Sequence, residues 1–113
     1  MLENHLTITK KDIDNYCQSE SLELINFEFS KEKVFAVVKT YQPKVNRYDL
    51  MIVYKTKEEI NSKIIAYNSE NSLEVNSITE KDNGMIKIEY FNLTNLIGFD
   101  NNATFQINKI KLE

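Results

Sequence analysis

The side chains able to do chemistry are few and scattered. The chain holds one histidine, His5, and one cysteine, Cys17. A thiol–imidazole nucleophile pair needs both groups in a shaped pocket with a third group orienting the base, and nothing in the sequence supplies that third group. Cys17 falls in helical phase with Ile13 and Tyr16, which predicts a small apolar contact beneath a helix. Asp12/Asp14 and Glu58/Glu59 could be imagined as acid and base, but 17 acidic residues among 113 make such neighbours unavoidable, and solvated turns are the expectation. No G-x-S-x-G, H-E-x-x-H, Walker or dinucleotide fingerprint occurs. A transition-metal centre would need more than one His and one Cys. Calcium would need only oxygen ligands, and Asp100-Asn101-Asn102 with Asp12, Asp14 or Asp82 could offer them. There is no D-x-D-x-D-G loop, however, and Asp and Asn in that run predict a turn on backbone grounds. The expectation is a protein without catalytic residues, cofactor or metal.

Recognition is the chemistry that remains. Tyr41 and Tyr48 bracket a loop that contains Gln42, Pro43, Lys44, Asn46 and Arg47. A flat ring beside amide and guanidinium groups suits a sugar or a peptide, with one stacking face and directional hydrogen bonds. The competing expectation is that both tyrosines end their strands at the rim of the core with hydroxyls in water. Ile86, Ile88 and Tyr90 alternate inward, so Phe91 is expected to point outward, as a protein contact or at a bulge. The candidate partner surface is therefore Tyr41, Gln42, Arg47, Tyr48 and Phe91. Phe27, Phe29, Phe35, Phe99 and Phe105 are expected in the core or at an interface.

Strands must position these residues. Thr9 and Asp12 form a capping box that predicts a helix over Lys10–Gln18, preceded by a brief strand at Leu6 and Ile8. In Leu22–Phe29, Ile25, Phe27 and Phe29 take one face and Asn26 and Glu28 the other. Val34–Tyr41 and Tyr48–Lys55 are nearly continuous apolar runs, suited to strands covered on both faces, with Pro43 marking the connection between them. Thr56–Asn68 reads two ways. Thr56 and Glu59 resemble a capping box, and Ile60, Ile64 and Tyr67 fall at i, i+4, i+7, whereas Lys63–Tyr67 is rich in β-branched and aromatic residues. A short helical turn followed by a strand is favoured. Asn83-Gly84 between Leu73–Thr79 and Met85–Asn92 is a strong hairpin signal. Leu96–Phe99 reads as a small strand, and Ala103–Leu112 as a final strand with a bulge at Asn108-Lys109.

Many short strands with polar turns predict a single all-β domain, a two-sheet β-sandwich of jelly-roll or immunoglobulin-like type behind a short N-terminal helix. An α+β sheet packed on helices at the N-terminus and at Lys57–Asn68 is the alternative. The stretch Tyr48–Glu113, above all its ending Phe105-Gln106-Ile107-Asn108-Lys109-Ile110-Lys111-Leu112-Glu113, resembles the closing strands of carbohydrate-binding jelly-roll modules. Those finish on the form F-x-I-D-x-I-x-L-E; here Asn108 stands in place of the Asp, and the chain has no Trp to serve as a sugar platform. The resemblance implies the fold and carries over no binding residue.

Composition narrows the partners. A net charge of −3, with Arg47 the only arginine, gives no general grip on phosphate backbones or anionic lipid, so neither nucleic acid nor membrane is expected. Two Gly and one Cys exclude glycine-rich phosphate loops and disulfide scaffolds. No apolar run of signal-peptide or membrane-spanning length occurs, so synthesis in a cytoplasm without a signal peptide is expected. The functional expectation is a non-catalytic assembly protein, an accessory component of a larger particle such as a phage head or tail, incorporated into the virion. Its partners would be proteins, including copies of itself, with an extended segment around Leu2–Ile8 pairing with a neighbour. A carbohydrate-binding module and a small intracellular inhibitor or immunity protein are the alternatives.

Overall fold

A computed structural model describes residues 6–57, 59–71, 73–80, 85–92 and 100–106. Antiparallel strands β1 (Glu23–Phe29), β2 (Phe35–Gln42), β3 (Arg47–Lys55) and β4 (Ile60–Asn68) form one sheet in that order. A second antiparallel sheet holds β5 (Leu73–Glu80), β6 (Met85–Asn92) and β7 (Asp100–Gln106). Helix α1 (Lys10–Ser19) precedes both. Among the described residues the protein is thus β-rich with one short α-helix, as the strand pattern predicts. Among the described residues every paired strand is a chain neighbour, a meander in each sheet without the crossovers of jelly-roll or immunoglobulin topologies.

The helix starts at its capping box. The Asp12 N–H donates to Thr9 Oγ1 at 3.2 Å and the Thr9 N–H donates to Asp12 Oδ2 at 3.0 Å. Burial pushes the Asp12 carboxyl up, but the backbone and hydroxyl of Thr9 and the Lys55 ammonium 3.5 Å away outweigh it, holding the group below its ordinary 3.8. Thr9→Ala is expected to cost about 1 kcal/mol in urea unfolding at neutral pH. The carboxylate's contribution is complete above 3.8 and is lost as pH falls through the lower folded value, so wild type and Thr9→Ala should converge in acid.

Both faces of the central strands are covered, which explains their unbroken apolar runs. Ala36, Val38, Met51 and Val53 meet Ile8, Ile13 and Cys17 in one buried cluster, so the helix and the segment before it pack on one face. Phe35, Val37, Leu50, Ile52 and Tyr54 share a second cluster with Leu73, Ile86, Ile88 and Tyr90 of the other sheet. The Tyr16 hydroxyl lies 2.6 Å from Ser62 Oγ and fastens the helix to β4. Between β2 and β3 a 3-10 turn at Pro43–Val45 ends at Asn46, whose left-handed φ of 51° suits asparagine. Among the described residues no helix is long and apolar enough to cross a membrane.

Several expectations require correction. Leu6 and Ile8 form no strand: the Ile8 N–H donates to the Lys33 carbonyl at 2.7 Å and its side chain is buried in the chain's own core, occupied at home rather than by a neighbour. Among the described residues of the segment 57–68 there is no helix. Thr56 N–H and Oγ1 both donate to the Glu59 carbonyl, closing a tight turn between β3 and β4, and cross-strand pairing takes the backbone groups a helix would use. Ile25 leaves the face of Phe27 and Phe29, because β1 is bulged between Leu24 and Asn26 and Leu24 takes the inward place. Asp100-Asn101-Asn102 is not a turn; it pairs with Phe91, Tyr90 and Glu89, and ladder hydrogen bonds override a local turn preference. The strands flanking Asn83-Gly84 pair as a hairpin, while that turn, the strand expected at Leu96–Phe99 and the bulge expected at Asn108-Lys109 lie outside the described residues.

Candidate functional site

The five residues singled out for a partner surface fall on three faces. Tyr41 and Tyr48 are register partners on the face of the first sheet that looks toward the second sheet. Their rings touch, with centroids 4.6 Å apart and planes at 39°, so each presents one face to the other. The Tyr41 hydroxyl donates to Asn46 Oδ1 at 2.8 Å, which ties the ring to the loop. Gln42 and Arg47 are also register partners, but pleat alternation places them on the opposite face, toward the helix. Phe91 is half-buried and lies on the face of the second sheet opposite Tyr90, in line with Glu74. The structure therefore joins Tyr41 with Tyr48 and separates both from Gln42, Arg47 and Phe91.

On the helix-side face, Arg47 organises a group the sequence does not announce. Its Nε lies 2.7 Å from Asp49 Oδ1 in poor alignment, and Nη2 donates to Asp49 Oδ2 at 3.1 Å. The Asp49 side chain is only 2% exposed. Beside it, the fully buried Thr40 hydroxyl has no hydrogen-bond partner among the described residues. The Arg47 guanidinium also sits 5.1 Å from the centre of the Tyr67 ring, a cation–π distance. Tyr67 is 60% exposed and Ile64, on the same face, 49% exposed. They share a face because β4 is bulged opposite Leu50 and Met51: Tyr67 pairs with Asp49 and Ile64 with Met51, leaving Ile65 turned toward the second sheet. β4 is an edge strand, and among the described residues none pairs with its outer side.

Between the sheets lies a cleft. β5 lies against β3 and β4, and Phe35 and Val37 of β2 share the buried cluster between the sheets. A space of about 410 Å3 there is bounded by Glu28, Val37, Lys39 and Leu50 of the first sheet and by Leu73, Glu74 and Val75 of the second. Lys39 lies outside the five residues that the sequence singles out. The signal was present: Phe35, Val37, Lys39 and Tyr41 alternate in one inward row, so a lysine there points where its neighbours are apolar. Its side chain is 6% exposed, makes no ion pair among the described residues, and has the Tyr48 ring 6.0 Å from its ammonium.

Cys17 is buried, and burial followed by the nearby Asp14 charge pushes its thiol above the ordinary 9.0, the reverse of an activated nucleophile. His5 lies outside the described residues. Among the described residues no three His, Cys, Asp or Glu side chains gather as a metal site. Comparison of the chain with protein-family models, curated proteins and solved structures found no match.

Proposed function

We propose that the protein is a non-catalytic interaction module, a β-sandwich that serves as an accessory component of a larger protein assembly and takes a partner strand along β4. The observation that carries this reading is the open side of β4, nine residues long, with Ile64 and Tyr67 exposed together on one face. An unpaired edge is a template for another strand. Main-chain hydrogen bonds along it would supply affinity, and side chains alternating over Ile64 and the Arg47–Tyr67 stack would supply selectivity. The bulge that brings these two side chains together also twists the edge, which disfavours indiscriminate pairing. The non-catalytic part of the reading is supported by the protonated, buried Cys17.

The test is capture from an extract of the source cells, with the mass of the purified chain measured by light scattering alongside. Wild type should retain a defined partner or self-associate, and Ile64→Lys with Tyr67→Ala should weaken that association by at least about tenfold while leaving the fold intact. A wild-type chain that stays monomeric and retains nothing, or a double variant that associates as wild type does, overturns the reading.

A further inference from the structure

We propose that the strand taken by β4 is β1 of another copy of this chain, so that copies join head to tail into one extended sheet. This rests on the reading of β4 as a recognition edge and names its partner.

The topology allows it. β1 and β4 are the two edges of the first sheet, and in an antiparallel sheet of four strands the two edges run in opposite directions. A copy displaced along the sheet therefore offers its β1 antiparallel to β4, with the helix-bearing faces on the same side. Among the described residues both outer sides are unpaired, and three of the four exposed large apolar side chains, Ile25, Ile64 and Tyr67, stand on these two strands.

Charge and register select the same alignment. Lys63 is the only charged residue of β4, and Glu23 and Glu28 are the only charged residues of β1. Lys63 pairs with Ile52 and Glu28 with Val37, so both lie on the face toward the second sheet; both are exposed and neither makes an ion pair among the described residues. Placing Lys63 opposite Glu28 of the neighbouring copy sets Ile64 opposite Phe27 and Tyr67 opposite Leu24, all four on the helix-bearing face. It also sets bulge against bulge. β4 carries one extra residue, Ile65, between Ile64 and Ala66, and β1 carries one, Ile25, between Leu24 and Asn26. A regular strand on either edge would lose register at the extra residue, whereas each of these edges supplies the residue the other needs. Apolar and opposite-charge cross-strand pairs then favour this alignment over its neighbours. Because the two edges are different surfaces, the contact does not close on itself as a two-fold dimer does, and copies add until a ring closes or a filament forms.

The test follows the mass of the full chain by light scattering over a concentration series. Wild type should grow beyond a dimer. Lys63→Glu and Glu28→Lys, both at exposed positions, should each weaken association by at least about tenfold while leaving the thermal melt unchanged. Mixed in equal amounts, the two variants should associate as wild type does, because every contact then joins a lysine to a glutamate again. The proposal is overturned if wild type stays monomeric or stops at a dimer, if Glu28→Lys associates as wild type does, or if mixing the two variants restores nothing. Capture of a foreign partner that depends on Ile64 and Tyr67 but not on Glu28 would overturn only the identity of the added strand and leave β4 as the edge. Wild-type association by Ile64→Lys with Tyr67→Ala would overturn both.

Discussion

Truncating Phe35 to alanine is expected to lower the unfolding free energy by about 3–5 kcal/mol. The residue is 1% exposed and is the largest of the fully buried side chains among the described residues. It stands on β2, between β1 and β3, opposite Tyr54, in the cluster that includes residues of both sheets. Removing the ring forfeits its burial and leaves a cavity that a strand hydrogen-bonded on both sides cannot collapse to fill. Native domains are stable by about 5–15 kcal/mol in total, so one side chain here decides whether the fold persists at 37 °C. Urea titration should show a lower midpoint with an unchanged slope. Tyr67→Ala, on the exposed face, should move the midpoint little, as surface substitutions usually stay within about 0.5 kcal/mol. A Phe35→Ala loss below about 1 kcal/mol would mean that the two sheets do not share this core.

How much of this was legible in the sequence follows from which residues obey strict periods. The central strands were readable because Val34–Val38 and Leu50–Tyr54 are apolar at both phases, and a strand covered on both faces must be. The helix was readable because its capping box is local and needs no tertiary information. β4 misled for a definable reason. Ile60, Ile64 and Tyr67 do lie on one face, as helical spacing implies, but a single bulged residue between Ile64 and Tyr67 produces that alignment in a strand. A bulge converts a spacing of three into a same-face pair, and periodicity alone cannot tell it from a helical turn. The Ile25 displacement in β1 has the same origin.

The candidate site was only half legible. Tyr41 and Tyr48 were identified as residues at the two ends of one loop, and the hairpin register does bring them together. Nearness in the chain groups Gln42 and Arg47 with them, although each is adjacent to its tyrosine and adjacent strand residues point to opposite faces. Lys39, two residues from Tyr41, belonged with the rings by the same rule. The cleft beside it arises from where the second sheet packs, which is a tertiary fact that no local pattern encodes.

Arg47→Ala is expected to cost about 3 kcal/mol, far more than a half-exposed arginine ordinarily would. Asp49 explains the difference: its carboxylate is almost fully buried, and Arg47 is its only cationic partner among the described residues. The neighbouring Thr40 hydroxyl makes no hydrogen bond to it that could substitute. Removing the guanidinium therefore strands a charge in the protein interior, and the cost comes from that uncompensated charge rather than from the attraction lost. The distinction is measurable. If the pair itself were strongly stabilising, replacing both residues would be as damaging as replacing one. If the cost is that of a stranded charge, Arg47→Met with Asp49→Leu should recover most of the stability lost in Arg47→Ala. A double-mutant cycle by urea unfolding should give a coupling energy of about 2–3 kcal/mol. The recovered double variant should still lose partner capture, because the guanidinium over Tyr67 is gone while the fold remains. Stability and recognition would then separate at one residue: Arg47 neutralises Asp49 inside the sheet and shapes the exposed edge of β4 outside it.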